Sequence, residues 1–575
     1  MLRFRIIKDD QGEDVYEVDS SGLEILHNPI LNKGSAFSID ERRAFQLDGF
    51  LPPAPSSLEQ QVSRRYEGFS AKPSDLEKYI YLRALQDRNE TLFYAFLQNH
   101  LEEMIPIVYT PTVGLACKRF SHIFRYTRGI FLSPDNIDRI DEIFRSLPNR
   151  NVEMIVATDS EGILGIGDQG VGGMGIPVGK LSLYVAGAGI HPANCLPVAL
   201  DVGTNNEELL NDLLYLGIRK KRIRGEEYFG LIDRFVQGVK RNFPNAVLQW
   251  EDFSKQNAFT LLHRYREHLP SFNDDIQGTG AVTLAGIKGA VRIKGESLSG
   301  QVFLIFGAGA GGIGVAKQIY SSLLDEGLPG GEAKDRIYVL DSRGVLYEGR
   351  NGVDEYKREF ARRADFGRKW KPAHPGRFSL MDTIRNARPT VLIGLSGIPG
   401  TFTEEAVRTM AGSCEQPVIF PLSNPTSNAE ATPEEIYRWT DGKGIVASGS
   451  PFPEVDYKGR RFLVGQGNNV FVFPGVGLGA LLVRAQVVTD EMFTVAANRL
   501  SELVSPDRLG ANCAYPPISE LRTVCREIAI AVATKAMEQN VARKPVVPGK
   551  IRESLDSRMW VPKYARYRSS TLASA

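Results

Sequence analysis

A run of glycines, Gly307-Ala-Gly309-Ala-Gly311-Gly312-Ile-Gly314, constrains this chain more than any other feature. It directly follows the apolar run Val302-Phe-Leu-Ile-Phe and opens the helical run Val315-Ala-Lys-Gln-Ile-Tyr. A G-x-G-x-x-G match is weak by itself, but between a strand and a helix it reads as a dinucleotide-binding turn. Gly307 would permit the tight turn, Gly309 would let the backbone approach a pyrophosphate, and Gly312 would let the helix pack close. The helix amino terminus then offers free N–H groups and partial positive charge to the phosphates. Asp341, at the end of the next strand, is placed to accept hydrogen bonds from ribose hydroxyls, which favours NAD. It lies farther on than the usual ~20 residues, and residues 325–335 read as a loop insertion. A second match, Gly165-Ile-Gly167-Asp-Gln-Gly170, is followed by Gly172, Gly173, Gly175 and Pro177. No clean helix starts at its third glycine, so it reads as a flexible active-site turn.

Around the glycine turn the chain alternates strand and helix. The runs Ile337-Tyr-Val-Leu, Val391-Leu-Ile-Gly-Leu, Val418-Ile-Phe-Pro-Leu and Ile445-Val-Ala-Ser are short and β-rich. Helical segments such as Thr403-Glu-Glu-Ala-Val-Arg-Thr-Met separate them, the signature of a doubly wound parallel sheet. Earlier, residues 1–28 suggest a short hairpin, and residues 38–128 carry apolar side chains three and four apart, a helical pattern. Glu153-Met-Ile-Val-Ala-Thr-Asp opens a first region of alternating strands and helices. After Val464 come a Gly-rich, strand-like stretch and two helices, over 490–504 and 518–538. The tail beyond Asn540, rich in Pro, Lys and Arg, is expected to wrap a neighbouring surface or subunit.

A chain of 575 residues exceeds one hydrophobic core, so at least two domains are expected. Lys plus Arg number 69 and Asp plus Glu 68, a net charge of +1 that gives no reason to propose a nucleic-acid partner. The run Arg219-Lys220-Lys221-Arg222-Ile223-Arg224 reads as a solvated loop, with an anion or subunit contact as the alternative. The five cysteines are scattered without a C-x-x-C pair, which argues against disulfides and thiolate metal sites and for a reducing compartment. Residues 1–20 lack signal or transit character, and no apolar run reaches the ~18 residues that cross a bilayer. A cytoplasmic protein with no membrane partner is expected.

Two acidic clusters carry the chemistry. Trp250-Glu251-Asp252-Phe253 and Phe272-Asn273-Asp274-Asp275-Ile276-Gln277 set four carboxylates among apolar neighbours. Burying adjacent like charges is costly unless a cation or hydrogen bonds compensate. A hard divalent ion with oxygen ligands, Mg2+ or Mn2+, is the natural solution; helix caps or exposed acids are the bland alternative. Lys180, in Ile-Pro-Val-Gly-Lys-Leu-Ser-Leu-Tyr, sits in an otherwise apolar helical segment. There it would lose solvation, which moves a lysine toward the range of a general base, although a snorkelling surface lysine fits equally. Tyr109, before a Pro turn, reads by itself as core. Asn424, Asn468 and Asn469 follow apolar strands at their carboxyl ends, where ligands bind in open α/β sheets; turn chemistry explains them equally well.

Taken together these motifs resemble the malic enzyme family over nearly the whole chain. The matching runs are Tyr109-Thr-Pro-Thr-Val-Gly, Gly165-Ile-Gly-Asp, Gly175-Ile-Pro-Val-Gly-Lys180, Asp201-Val-Gly-Thr-Asn-Asn, Glu251-Asp-Phe, Asn273-Asp-Asp-Ile-Gln-Gly-Thr, Leu422-Ser-Asn-Pro-Thr and Asn468-Asn469. The resemblance implies Glu251, Asp252 and Asp275 as metal ligands, Lys180 as general base with Asp274 beside it, and Tyr109 as general acid. It implies Asn424 and Asn469, with Asn468 adjoining, as holders of the substrate carboxylates, Asn424 also facing the cofactor. The implied fold is α/β: a helical N-terminal domain over 1–128, and a discontinuous central domain over 129–277 and 464–538. A Rossmann-like domain over 278–463 and a C-terminal extension over 539–575 complete it, in a homotetramer or homodimer. The implied reaction oxidises malate with NAD and releases carbon dioxide to leave pyruvate.

One position departs from the pattern. Many malic enzymes carry an arginine for a substrate carboxylate where this chain has Gly162, so a bidentate clamp is missing. Gly162, with Thr279-Gly280, resembles the related malolactic enzymes, which turn malate into lactate without releasing reduced cofactor. Tyr109-Thr110-Pro111 and Gly173-Met-Gly-Ile-Pro177 are written as in malic enzymes, and the malic reading is the one taken forward. A nucleotide-binding regulatory protein without catalysis is the alternative from another class.

Overall fold

The computed structural model describes residues 4–570 apart from residues 11, 373 and 375. The outer ends of the first and last expected domains, 1–3 and 571–575, lie outside the described residues. The chain divides into two units, one of Met1–Asp159, Gln169–Ala246 and Asp556–Ala575, the other of Ser160–Asp168 and Val247–Leu555. This differs from the expected boundaries at 128, 277 and 463. Residues 464–538 join the nucleotide-binding strands because the helix Asp490–Glu502 packs on the helices Thr279–Lys294 and Ala310–Asp325. Among the described residues no helix is long and apolar enough to cross a membrane.

In the second unit seven strands form one sheet in the order Gly344–Val345, Ile337–Asp341, Phe303–Phe306, Val391–Gly394, Val418–Pro421, Ile445–Ser448, Gly465–Gln466. All neighbours are parallel except the first two, a tight hairpin. The five expected strands form within a residue or two of their expected limits. They are buried almost throughout, as a sheet covered on both faces requires. From Phe303–Phe306 the chain runs first to one side, to Ile337–Asp341, and then to the other, to Val391–Gly394. Such a reversal opens a crevice at the carboxyl ends of the strands, and Gly307 is the first residue past that edge. The expected loop over 325–335 holds a short helix, Gly330–Asp335, anchored by the fully buried Ala333.

The same unit contains a second parallel pair, Val247–Trp250 and Ser271–Asn273. Trp250 lies opposite Asn273, so Glu251 and Asp274 leave adjacent strand ends side by side. The register alone brings the two acidic clusters together.

The stretch expected to be strand-like after Val464 is mostly the helix Phe473–Leu482, buried along its whole length. Its glycines serve helix packing. A Cβ on Gly479 would stand 2.6 Å from the Ala529 carbonyl oxygen and 2.8 Å from Val532 Cβ, and one on Gly475 would stand 2.7 Å from Ile528 Cγ2. The partner is the helix Leu521–Glu538, which approaches over the bare glycine face.

In the first unit the strands Ile130–Leu132, Cys195–Leu200 and Met154–Thr158 lie in that order, all parallel. The helix Gly175–Ala188 is buried at every residue. The N-terminal part is helical as expected, with Leu58–Ser70, Asp75–Gln86, Glu90–Asn99 and Leu101–Val108. The expected hairpin forms from Phe4–Lys8 and Asp14–Val18, and the tail returns as Arg566–Ser569 to pair in parallel with Asp14–Val18. The tail therefore covers a surface of its own chain. Lys33 fastens this clasp: its Nζ donates to Glu41 Oε1 at 2.5 Å and the Ala565 carbonyl at 2.6 Å, and sits 3.8 Å over the Tyr567 ring. His191 holds the hairpin from beneath, its Nδ1 accepting from Ala193 N–H and its Nε2 lying 3.1 Å from the Tyr16 hydroxyl.

Two measurements check this packing. Gly479→Val is expected to destabilise the chain by about 1–3 kcal/mol through overpacking, read as a lower urea midpoint; an unshifted midpoint would contradict the helix contact. Burial pushes the His191 imidazole down from 6.5 to about 4. The unfolded chain therefore takes up this proton first, so stability falls as pH drops through that window and levels off below it. His191→Gln should flatten the stability profile between those pH values by on the order of 2–3 kcal/mol. An unchanged slope would remove the assignment.

Candidate active site

Glu251, Asp252 and Asp275 each offer a carboxylate oxygen within 4.8 Å of the others. Glu251 and Asp252 are buried and Asp275 is partly so. Gln249 Nε2 donates to Glu251 Oε2 at 2.7 Å and orients that side chain. The Asp252 N–H donates to Asp275 Oδ2 at 2.9 Å, which ties the two clusters together. Asp252 adopts a left-handed backbone, φ 55°, a conformation that costs a non-glycine residue about 1–2 kcal/mol. Three hard carboxylate oxygens gathered at one point, two on buried residues and one on a partly buried one, fit a divalent cation.

Asp275 lies in a π-helical turn, Asp274–Gly278, whose amino end is capped by Asn273 Oδ1 accepting from Ile276 N–H at 3.0 Å. The turn leads into the helix Thr279–Lys294. That helix crosses Ala310–Asp325 where glycines remove the side chains. A Cβ on Gly280 would stand 2.6 Å from the Gly314 carbonyl oxygen, and one on Gly314 would run into the Ile276 carbonyl. The acidic turn is thereby pressed against the start of the nucleotide helix.

The result is one cavity of about 620 Å³ whose walls include Asp275, Thr279, Gly307 to Gly312, Asp341, Leu395 to Ile398 and Ser423-Asn424. Gly307 has φ 126°, open to glycine alone, and its N–H donates to the Leu340 carbonyl at 2.9 Å. Gly309 faces the cavity, and Gly312 abuts the Gly307 carbonyl. Asp341 ends its strand as expected, and Arg350 grips both of its oxygens at 3.0 and 2.5 Å. Burial pushes the Asp341 carboxyl up, but Arg350 and the Arg343 N–H outweigh this and hold it below its ordinary range. In dinucleotide-binding folds a carboxylate at the end of this strand accepts ribose hydroxyls.

The asparagines separate. Asn424 lines the cavity, and its Oδ1 accepts from Ser450 Oγ at 2.5 Å. Asn468 caps the turn Asn469–Phe471, its Oδ1 accepting from Val470 N–H, the turn chemistry left open by the sequence. Asn469 Nδ2 donates to Asp274 Oδ2 at 3.0 Å and Thr279 Oγ1 at 3.1 Å. Asp274 itself is fully buried, at 0% exposure.

In the first unit Lys180 is 1% exposed, which ends the surface-lysine reading. Its Nζ lies 5.3 Å from the centre of the Tyr109 ring. The approach is close because Gly179, the preceding residue, faces Val108 and Tyr109; a Cβ there would stand 2.8 Å from the Val108 carbonyl oxygen. Tyr109 caps the carboxyl end of the helix Leu101–Val108 and is buried as well. The first unit thus buries an amine beside a phenol.

Gly162 is fixed by its surroundings. Its N–H donates to the Asp252 carbonyl at 2.8 Å, and a Cβ would collide with the Phe253 carbonyl. No side chain fits there with the loop in this place, so the missing arginine is matched by the backbone. Lys255 was not singled out from the sequence. It is the first residue of the helix Lys255–Tyr265, and its amine lies 3.9 Å from where a Cβ on Gly309 would stand. A lysine in a first helical turn opposes the helix dipole, and that mismatch was the available signal for an anion site.

Comparisons with known proteins identify the family. Residues 86–266 match the family described as "Malic enzyme, N-terminal domain", and residues 276–537 the one described as "Malic enzyme, NAD binding domain". The chain is 46% identical over 548 residues to a protein of Aliivibrio fischeri named NAD-dependent malic enzyme, covering 95% of this chain and 97% of that one. It is 47% identical over 549 residues to the protein of the same name in Vibrio campbellii, with coverage of 95% and 97%. Among solved structures, the malic enzyme of Entamoeba histolytica superposes with a TM-score of 0.55 at 24% identity, covering 89% of this chain and 91% of that one. That of Pyrococcus horikoshii gives 0.53 at 22%, covering 80% and 89%. The two superpositions establish the shared fold.

The acidic trio is open to a direct test with Mn2+ as the probe. Because Gln249 orients Glu251, Gln249→Ala is expected to weaken Mn2+ binding about 10–100-fold, measured by calorimetry on the full chain. Unchanged affinity would mean that the ion, if bound, is held elsewhere.

Proposed function

The chain belongs to the malic enzyme family and oxidatively decarboxylates malate with NAD, and we propose that the residues described above divide that reaction as follows. Glu251, Asp252 and Asp275 hold Mg2+ or Mn2+. When bound, the divalent ion supplies Lewis-acid polarisation of the substrate oxygens. Lys180 takes the proton of the C2 hydroxyl as hydride leaves C2 for the nicotinamide. After the C4 carboxylate departs as carbon dioxide, Tyr109 delivers a proton to C3 and pyruvate results. Asn424, its amide oxygen occupied by Ser450, presents N–H donors to a substrate carboxylate. Asp341 receives the adenosine ribose and sets the choice of NAD. Asn469 acts on the substrate side by holding Asp274, and Asn468 by shaping the turn that carries Asn469. The resemblance carries a homotetramer or homodimer and a cytoplasmic location into the same proposal.

The observation that carries this reading is that Asp275, of the acidic trio, and the glycine turn are walls of one cavity. With a pyrophosphate on the turn, the nicotinamide would lie in the same cavity as a cation at the trio, as hydride transfer from a chelated 2-hydroxy acid demands. Within the first unit Lys180 and Tyr109 are both buried, the lysine Nζ 5.3 Å from the centre of the Tyr109 ring. Lys255 stands over the turn where the pyrophosphate would rest, a compensating charge for that anion.

The test supplies malate, Mn2+ and NAD, and measures NADH, pyruvate and lactate together. Equal NADH and pyruvate are expected. Lactate without free NADH would establish the malolactic outcome, and NAD binding without turnover the regulatory one. Lys180→Ala should lose at least about 100-fold in kcat while NAD still binds; a near-normal rate would take the base away from Lys180.

A further inference from the structure

We propose that Glu430 is a positioning residue for the nicotinamide side of the cofactor pocket. The inference rests on reading the cavity as the NAD site. The glycine turn lies between Asp341 on one side and the loops after Val391–Gly394 and Val418–Pro421 on the other. With the adenosine ribose at Asp341, the nicotinamide half extends toward those two loops. Their residues Ser396, Gly397, Ile398, Ser423 and Asn424 all line the cavity.

Glu430 joins the two loops from below. It is fully buried, 0% exposed. Its Oε1 accepts from Ser396 N–H and Ser396 Oγ, both at 2.8 Å, and from Ser423 Oγ at 2.6 Å. Its Oε2 faces the Ser423 N–H at 3.4 Å. The links continue outward, since Ser423 Oγ accepts from Gly397 N–H at 2.8 Å and Ser396 Oγ from Ile398 N–H at 3.2 Å. The carboxylate is wedged so tightly between the strand ends that Gly394 has no room for a Cβ.

Every one of these donors is neutral. Burying an anion is costly unless hydrogen bonds replace its lost water, and this anion is satisfied by the walls of the pocket themselves. A cluster that converges three donors on one oxygen fixes their spacing, because each donor needs the same acceptor. A carboxamide that keeps its oxygen at the Oε1 position would set its NH2 against the Ser423 N–H and would lack the charge that strengthens the three bonds to Oε1. The loop separation, and with it the slot for the nicotinamide ring and the setting of Asn424, then depends on Glu430.

The test compares NAD with ADP-ribose, which lacks the nicotinamide, as calorimetric ligands of the full chain. Glu430→Gln is expected to raise the Kd for NAD about tenfold and leave that for ADP-ribose within about twofold. Thr432→Ala removes the cap of the adjacent helix Pro433–Trp439; it should lower the melting temperature and leave both dissociation constants unchanged. Should Glu430→Gln fail to fold, Ser423→Ala carries the same expectation at about threefold for NAD. Equal weakening of both ligands would show a purely structural role and overturn the proposal, as would unchanged NAD binding. A wild-type chain that binds neither ligand would overturn the reading of the cavity, and this inference with it.

Discussion

Three carboxylate oxygens within 4.8 Å of each other, two of their side chains buried, form the constraint on which the site depends. Like charges so close in a poorly solvated place repel unless a cation lies among them. The fold spends local backbone stability to keep them there. Asp252 takes a left-handed conformation, and its N–H and carbonyl are both engaged, by Asp275 and by Gly162. The strand register that sets Trp250 opposite Asn273 supplies the coarse placement. Strain and repulsion at one point, maintained by otherwise regular strands, are the mark of a site shaped for a ligand.

That cluster would be only a metal trap without its neighbour. The contact between them is made by absent side chains: Gly280 and Gly314 let the acidic turn's helix and the nucleotide helix touch backbone to backbone. A larger residue at either position would push the carboxylates away from the glycine turn. The distance over which a hydride must pass is therefore governed by helix packing, several residues from any atom that reacts.

What was legible in the sequence was what is decided locally. The strand–glycine–helix order at Val302–Tyr320, the five core strands, and the two acidic runs depend on neighbours in sequence, and the structure contains each. The Gly-rich stretch after Val464 reads as strand because glycines suggest a loose strand, whereas Gly475 and Gly479, four apart, form the bare face of the helix Phe473–Leu482 against Leu521–Glu538. The contact of Asp490–Glu502 with two distant helices, which brings residues 464–538 to the nucleotide strands, leaves no local trace in the sequence. Asn424 and Asn468 are alike in sequence, both after an apolar strand. Only the hydrogen bonds from Ser450 and Val470 tell a cavity donor from a turn cap.

Gly162 and Lys255 show how a departure from a family pattern can be read physically. A lost arginine could be a single missing side chain on an unchanged frame. Here the Gly162 Cα is packed against the Phe253 carbonyl and its N–H is given to Asp252, so the frame itself has closed over the position. Two residues beyond Phe253, the chain places a lysine where the helix dipole disfavours one, with its amine over the glycine turn. On this side of the cavity the positive charge is therefore a lysine point charge beside Gly309. If substrate carboxylates are held by neutral donors such as Asn424 and by an ion at the acidic trio, as proposed, the grip is weaker and less directional than a bidentate arginine gives.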